Sequence, residues 1–144
     1  LDELRDAFPS AQCVIHEADG QMLGRPSLNL SLFLGGGFKR RAADRLLRGG
    51  EVLEVAGLEV QVMHVPGHTP GSICLHVPAA GVVFTGDVLF AGGIGRTDFP
   101  GGDYDLLIAG IREKLLTLPP DTIVYPGHGP ASTIREEKES NPFL

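Results

Sequence analysis

Leu1, Leu4 and Phe8 recur at i, i+3 and i+7 and predict a helix over residues 1–8, closed by Pro9. The apolar pattern starts at the first residue with no capping residue before it, so this helix reads as cut into rather than begun. AQCVIHEAD predicts a short buried strand turning at Asp19-Gly20. Residues 21–38 read as loop, with Gly24, Pro26 and the run Gly35-Gly36-Gly37, and 41–47 as a short helix. From Glu51 the period falls to two. EVLEV, LEVQVMHV, SICLHV and VVFTGD are four strands, separated by Ala56-Gly57, the PGHTPG turn and Pro78-Ala79-Ala80-Gly81. In the second of them Val60, Val62 and His64 fall on one side and Glu59, Gln61, Met63 and Val65 on the other. That imperfect alternation suits a sheet covered on both faces. LFAGGIGRTDFPGGD is a glycine-dense loop. Asp103 then caps a helix over YDLLIAGIREKLLTL, with Leu107, Ile111, Leu115 and Leu118 on one stripe and Pro119-Pro120 as its stop. DTIVYPGHG is a last strand, and Thr133 with Glu136 forms a capping box opening a final helix, TIREEKES.

The chain has 144 residues, a size that suits one domain with a modest core. Its net charge of −6 argues against a nucleic-acid partner, which needs a basic face. The one basic cluster, Lys39, Arg40 and Arg41, reads as a solvated loop or helix start. No apolar run is long enough to span a bilayer and no signal-peptide pattern opens the chain, so no membrane partner is expected. Cys13 and Cys74 are far apart and lie in strand-like runs. They read as small buried hydrophobes in a reducing compartment, hence a cytoplasmic protein, rather than as a disulfide or thiolate ligands.

Candidate chemistry sits at His68, Asp87 and His128, in VPGHTPGS, VVFTGDVLF and VYPGHGP. Each follows a strand-like run and stands beside glycine, which is how a rigid sheet delivers a side chain on a tight loop. A lone histidine after a strand is usually structural, but two Pro-Gly-His sequences around a Thr-Gly-Asp favour metal ligation. Imidazole and carboxylate with an open position for water are what a zinc hydrolase needs. His16, His64 and His76 have no such setting and are expected to be structural. Asp103 is explained by helix capping and Asp98 by an ion pair with Arg96.

The three motifs, 19 and 41 residues apart in this order, closely resemble the second half of the metallo-β-lactamase superfamily. The resemblance implies an α/β (α+β) fold, the αββα sandwich. It also implies an upstream H-x-H-x-D-H motif, and the chain contains no H-x-H. Residues 1–144 are therefore expected to be a single incomplete domain of this kind, truncated, with the N-terminal part missing. By resemblance, His68 completes one Zn2+ site and His128 a second. Asp87 is the catalytic residue, a carboxylate bridging both and orienting the metal-bound hydroxide. The chain alone is expected to be inactive.

FAGGIGRTDFPGGD and TIREEKESNPFL are similar to stretches of glyoxalase II-like hydrolases, and the first also to persulfide dioxygenases. The resemblance implies a small-molecule thioester or thiol substrate, of the hydroxyacyl-glutathione kind. Arg96 is the candidate for binding a substrate carboxylate, with a structural pair to Asp98 as the equal alternative. Only 16 residues follow His128, too few for the helical domain that shapes the glutathione site in full-size glyoxalase II. Two other readings stay open: a mononuclear-iron (Fe) persulfide dioxygenase, which does not need His128 as a ligand, and a non-catalytic fragment. Such a fragment would leave an apolar sheet face uncovered and self-associate through it.

Overall fold

The period-two stretch after Glu51 folds as read, into an antiparallel meander. The computed structural model describes residues 1–32 and 35–144, so Phe33 and Leu34, within the expected loop, lie outside the described residues. The chain divides into two compact units, Leu1–Arg48 and Gly49–Leu144.

In the first unit, helix α1 spans Asp2–Ala7 and buries none of its residues. The stripe read from its sequence is open to solvent: Leu1, Leu4 and Phe8 are all exposed. Strand β1, Val14–His16, leads into a stretch of 3₁₀ helix, Glu17–Gly24. The expected helix over 41–47 does not form. Arg45–Leu47 is strand β2, paired in parallel with β1. Asp44 anchors its start, accepting the Cys13 N–H at 2.7 Å and an Arg5 guanidinium N–H at 2.8 Å. A non-local partner has overridden a weak local helix pattern.

In the second unit, β3 (Val52–Val55), β4 (Leu58–His64), β5 (Ile73–Val77) and β6 (Val82–Gly86) form the meander. A short antiparallel hairpin follows, β7 (Leu89–Phe90) with β8 (Gly93–Ile94). Helix α2, Tyr104–Gly110, crosses back so that β9, Ile123–Pro126, pairs in parallel with β6. Strand β10, Ser132–Thr133, adds the outer edge and runs into helix α3, Ile134–Ser140. The six-stranded order is β10-β9-β6-β5-β4-β3. No helix of the described residues is long and apolar enough to cross a membrane.

The register sets Met63, Cys74, Val83 and Val124 on one face of this sheet. Leu107, Ile111, Leu115 and Ile134 close over them with Val65, Val88 and Leu89 to make the core. Buried apolar spacing of four residues along 107–115 exceeds the 3.6 of an α-helix, so the stripe would precess. A wide π-type turn at Ile111–Leu115, with the Leu116 N–H bonded to the Ile111 carbonyl at 3.0 Å, absorbs the mismatch. Coverage of the opposite face is only partial, against expectation: Val60 and Val62 are buried, but the neighbouring Phe84 and Tyr125 are exposed and stacked at 5.7 Å.

Candidate metal centre

Strand direction brings the three motifs together. β4 and β6 are both antiparallel to β5, and β9 is parallel to β6, so all three point their C-terminal ends at one edge. His68, Asp87 and His128 follow those three ends. Asp87 comes directly after β6. The loop carrying His128 is tied to it by the Gly127 N–H, which bonds the Gly86 carbonyl at 2.7 Å.

The turn at 65–72 is built before His68 is added to it. The Gly67 N–H bonds the Thr69 carbonyl at 3.1 Å, and the Asp103 N–H bonds the Gly67 carbonyl at 2.8 Å. Thr69 and Ser72 hydroxyls lie 2.7 Å apart. His64, expected to be structural, donates its Nε2–H to the Pro70 carbonyl at 2.8 Å. Gly67 has φ +131, and a Cβ there would meet Leu107 and the Asp103 carbonyl at 2.5 Å. Only glycine lets the turn lie flat on the start of α2.

At the centre, the two oxygens of Asp87 face two different imidazoles. Oδ2 lies 3.9 Å from His68 Nε2 and Oδ1 lies 3.8 Å from His128 Nε2. These separations are too long for hydrogen bonds. Two ligands about 2.0–2.2 Å from one zinc lie about 3.4 Å apart at the tetrahedral angle and about 4 Å apart when it opens. His68 Nδ1 is 2.9 Å from the Arg96 carbonyl. A carbonyl only accepts, so Nδ1 carries the proton and the Nε2 lone pair is left facing Asp87. The His128 ring stacks on Phe90, centroids 4.6 Å apart. The donor set therefore fits a divalent metal on chemical grounds: two imidazoles, one held in the ligating tautomer, face a carboxylate that makes no ion pair with Lys or Arg among the described residues. Among the described residues no group of three or more His, Cys, Asp and Glu encloses a single point. The geometry is two imidazoles facing opposite oxygens of one carboxylate.

The Arg96 side chain makes the pair with Asp98 that the sequence offered as the equal alternative to substrate binding. Its guanidinium forms a two-pronged pair with Asp98, both contacts 2.7 Å, and lies 3.8 Å over the Phe99 ring. It is the carbonyl of Arg96 that reaches the site. Asp103 caps α2 through the Leu106 N–H at 3.0 Å. Thr133 and Glu136 form the capping box of α3. His76 pairs with Gln61 at 3.1 Å, away from the three motifs. Phe90 carried no signal in the sequence, and Gly127 was legible only as the turn glycine of its Pro-Gly-His, not for its approach to Asp87. Both act by close approach, Phe90 on His128 and Gly127 on Asp87, and approach of this kind leaves no periodic mark.

The profile of the metallo-beta-lactamase superfamily matches residues 1–128. The chain belongs to that superfamily. Hydroxyacylglutathione hydrolase GloC of Haemophilus influenzae is 57% identical over 95 residues, 66% of this chain and 45% of that protein. The crystal structure of BLEG-1 B3 metallo-beta-lactamase superposes with a TM-score of 0.94 at 43% identity, over 99% of this chain and 69% of that one. TTHA1623, in a di-iron-bound form, superposes with a TM-score of 0.83 at 36% identity, again over 99% and 69%. The superfamily chain described here thus matches less than half the length of GloC and about two thirds of the two solved chains. Its fold is the mixed α/β architecture of these metallo-beta-lactamase relatives.

Proposed function

We propose that His68, Asp87 and His128 form half of a two-metal hydrolase site that acts on thioesters of the hydroxyacyl-glutathione kind, once an upstream segment supplies the H-x-H-x-D-H ligands. One observation carries the reading: the two oxygens of one carboxylate face two separate imidazoles. Zinc pairs about 3.5–4 Å apart supply Lewis acidity and a nucleophilic water at neutral pH. Asp87 would contribute a carboxylate oxygen to each metal and offset part of their charge. His68 presents Nε2 because Arg96 holds its other nitrogen. His128 is aimed by the ring of Phe90. The similarity to GloC supports the thioester as substrate, and the di-iron form of TTHA1623 makes iron the second candidate metal.

The test is metal content and hydroxyacyl-glutathione hydrolysis in variants of the protein carrying both sets of ligands. Asp87→Ala should lose metal at both positions and nearly all turnover. His128→Ala should lose one ligand to one metal, which water partly replaces. Retention of both metals and parental turnover by Asp87→Ala would exclude the bridging role. One iron per chain, no thioester hydrolysis by the parent, and persulfide oxidation that survives His128→Ala would favour the persulfide dioxygenase reading.

A further inference from the structure

Glu137 is 2% exposed, and no step of the proposed chemistry needs a carboxylate there. On sequence it belongs to the polar helix IREEKES, where an acidic residue is ordinarily solvated. In the structure its Oε2 accepts the Gly92 N–H at 3.0 Å and the Asn141 amide at 2.7 Å. Asn141 is itself buried, and its Nδ2 donates onward to the Gly93 carbonyl at 3.1 Å. Burying a carboxylate is unfavourable unless hydrogen bonds hold it. One of these bonds comes from the backbone of a glycine turn and the other from the Asn141 amide, which itself reaches that turn; neither partner is a cation.

That turn joins β7 to β8. A hairpin of two-residue strands has almost no stability of its own and takes its position from what anchors it. Its first strand carries Phe90, which lies against His128. Its second continues through Gly95, whose N–H bonds the Val88 carbonyl at 3.0 Å, to Arg96, whose carbonyl accepts a hydrogen bond from the His68 Nδ1–H. Both imidazoles are therefore oriented by opposite arms of one hairpin, and α3 grips the hairpin at its tip.

We infer that Glu137 and Asn141 form a positioning clamp that sets the orientation of both His68 and His128 through the β7–β8 hairpin. The consequence for metal affinity rests on the two-metal reading above; the consequence for ring orientation does not.

Ring spectra of His68 and His128 in the isotopically labelled 144-residue chain separate the two. In the parent, the stacked Phe90 should shift the His128 ring protons upfield, and the His68 Nδ1 proton should be protected from exchange. Glu137→Ala should move the His128 signals to where Phe90→Leu puts them and expose the His68 proton. It should also lower Zn2+ affinity about 10- to 100-fold, the usual effect of removing a group that orients a ligand. Glu137→Gln keeps an oxygen where Oε2 stands and should restore both signals. A folded Glu137→Ala protein with both rings unmoved overturns the clamp. Rings that move without any change in Zn2+ affinity uphold the clamp and overturn the ligand assignment instead. If circular dichroism shows that Glu137→Ala does not fold, Asn141→Ala carries the test. It removes the bond to Gly93 and should give smaller shifts in the same direction, and unmoved rings in that folded variant overturn the clamp.

Discussion

Replacing Gly127 with alanine should separate metal affinity from stability. The added Cβ would lie 2.6 Å from Asp87 Oδ1, the oxygen that faces His128. Ordinary contact begins at 3.4 Å, so the carboxylate must retreat by about 0.8 Å. It has room, because the Asp87 side chain is 44% exposed. Metal–ligand distances tolerate only about ±0.2 Å, so the displacement is about four times what a site accepts. The fold has little else to absorb, since after Asp87 the nearest atoms are the Gly86 carbonyl carbon and oxygen at 3.3 and 3.4 Å, a shift of a few tenths of an ångström at most. Gly127 is exposed and its φ is not left-handed, and alanine also restrains the unfolded chain. Stability should stay within about 1 kcal/mol of the parent. Zinc affinity should fall about 10- to 100-fold, or about 1.4–2.7 kcal/mol. Competition titration against a chromophoric zinc chelator reads the first quantity, and urea unfolding without metal reads the second. Parental zinc affinity in a folded Gly127→Ala protein would refute the reasoning, because a carboxylate free to move that far unnoticed is not a ligand.

Gly67→Ala should do the reverse, unfolding at lower denaturant by about 2–5 kcal/mol, since a left-handed φ and 2.5 Å contacts with α2 combine strain with overpacking; an unchanged midpoint would show that the turn is not seated on the helix. The Arg96 guanidinium holds the Asp98 carboxyl down at about 2. With the pKa depressed on folding, whatever the pair contributes is present above the unfolded value near 3.9 and fades as pH falls towards 2. Carboxyl titration by NMR should show Arg96→Ala returning Asp98 to the ordinary range. Burial pushes the Cys74 thiol up to about 12, so thiol reagents at pH 8 should label it only after unfolding, while the partly exposed Cys13 reacts in the native state.

The meander was legible because its signals are local: alternating residues, and turns marked by Ala56-Gly57 and Pro78-Ala79-Ala80-Gly81. β2 was not, since Arg45–Leu47 is extended only because β1 lies beside it, and pairing of residues 31 positions apart has no local trace. The ligand candidates were legible because glycine stands next to each and proline precedes it at both histidines. What orients them was hidden. Phe90 looks like one more apolar residue, Glu137 like one more charge on a polar helix, and Arg96 draws attention to its guanidinium when its carbonyl does the holding.

The sheet also behaves as a ruler. Asp87 and His128 hang from neighbouring strands, so their spacing derives from the roughly 4.8 Å between paired strands, not from the chain that joins them. His68 hangs two strands from Asp87 and needs a longer reach, which explains why it lies four residues past the end of β4 while Asp87 lies one past β6. Lengthening the crossover through α2 would cost only loop-closure entropy and leave the ligands where they are. Inserting a single residue between Gly86 and Asp87 would not. In chains of this fold, the long intervals between motifs are free to drift, and the short offsets from strand end to ligand are the quantity a search should hold fixed.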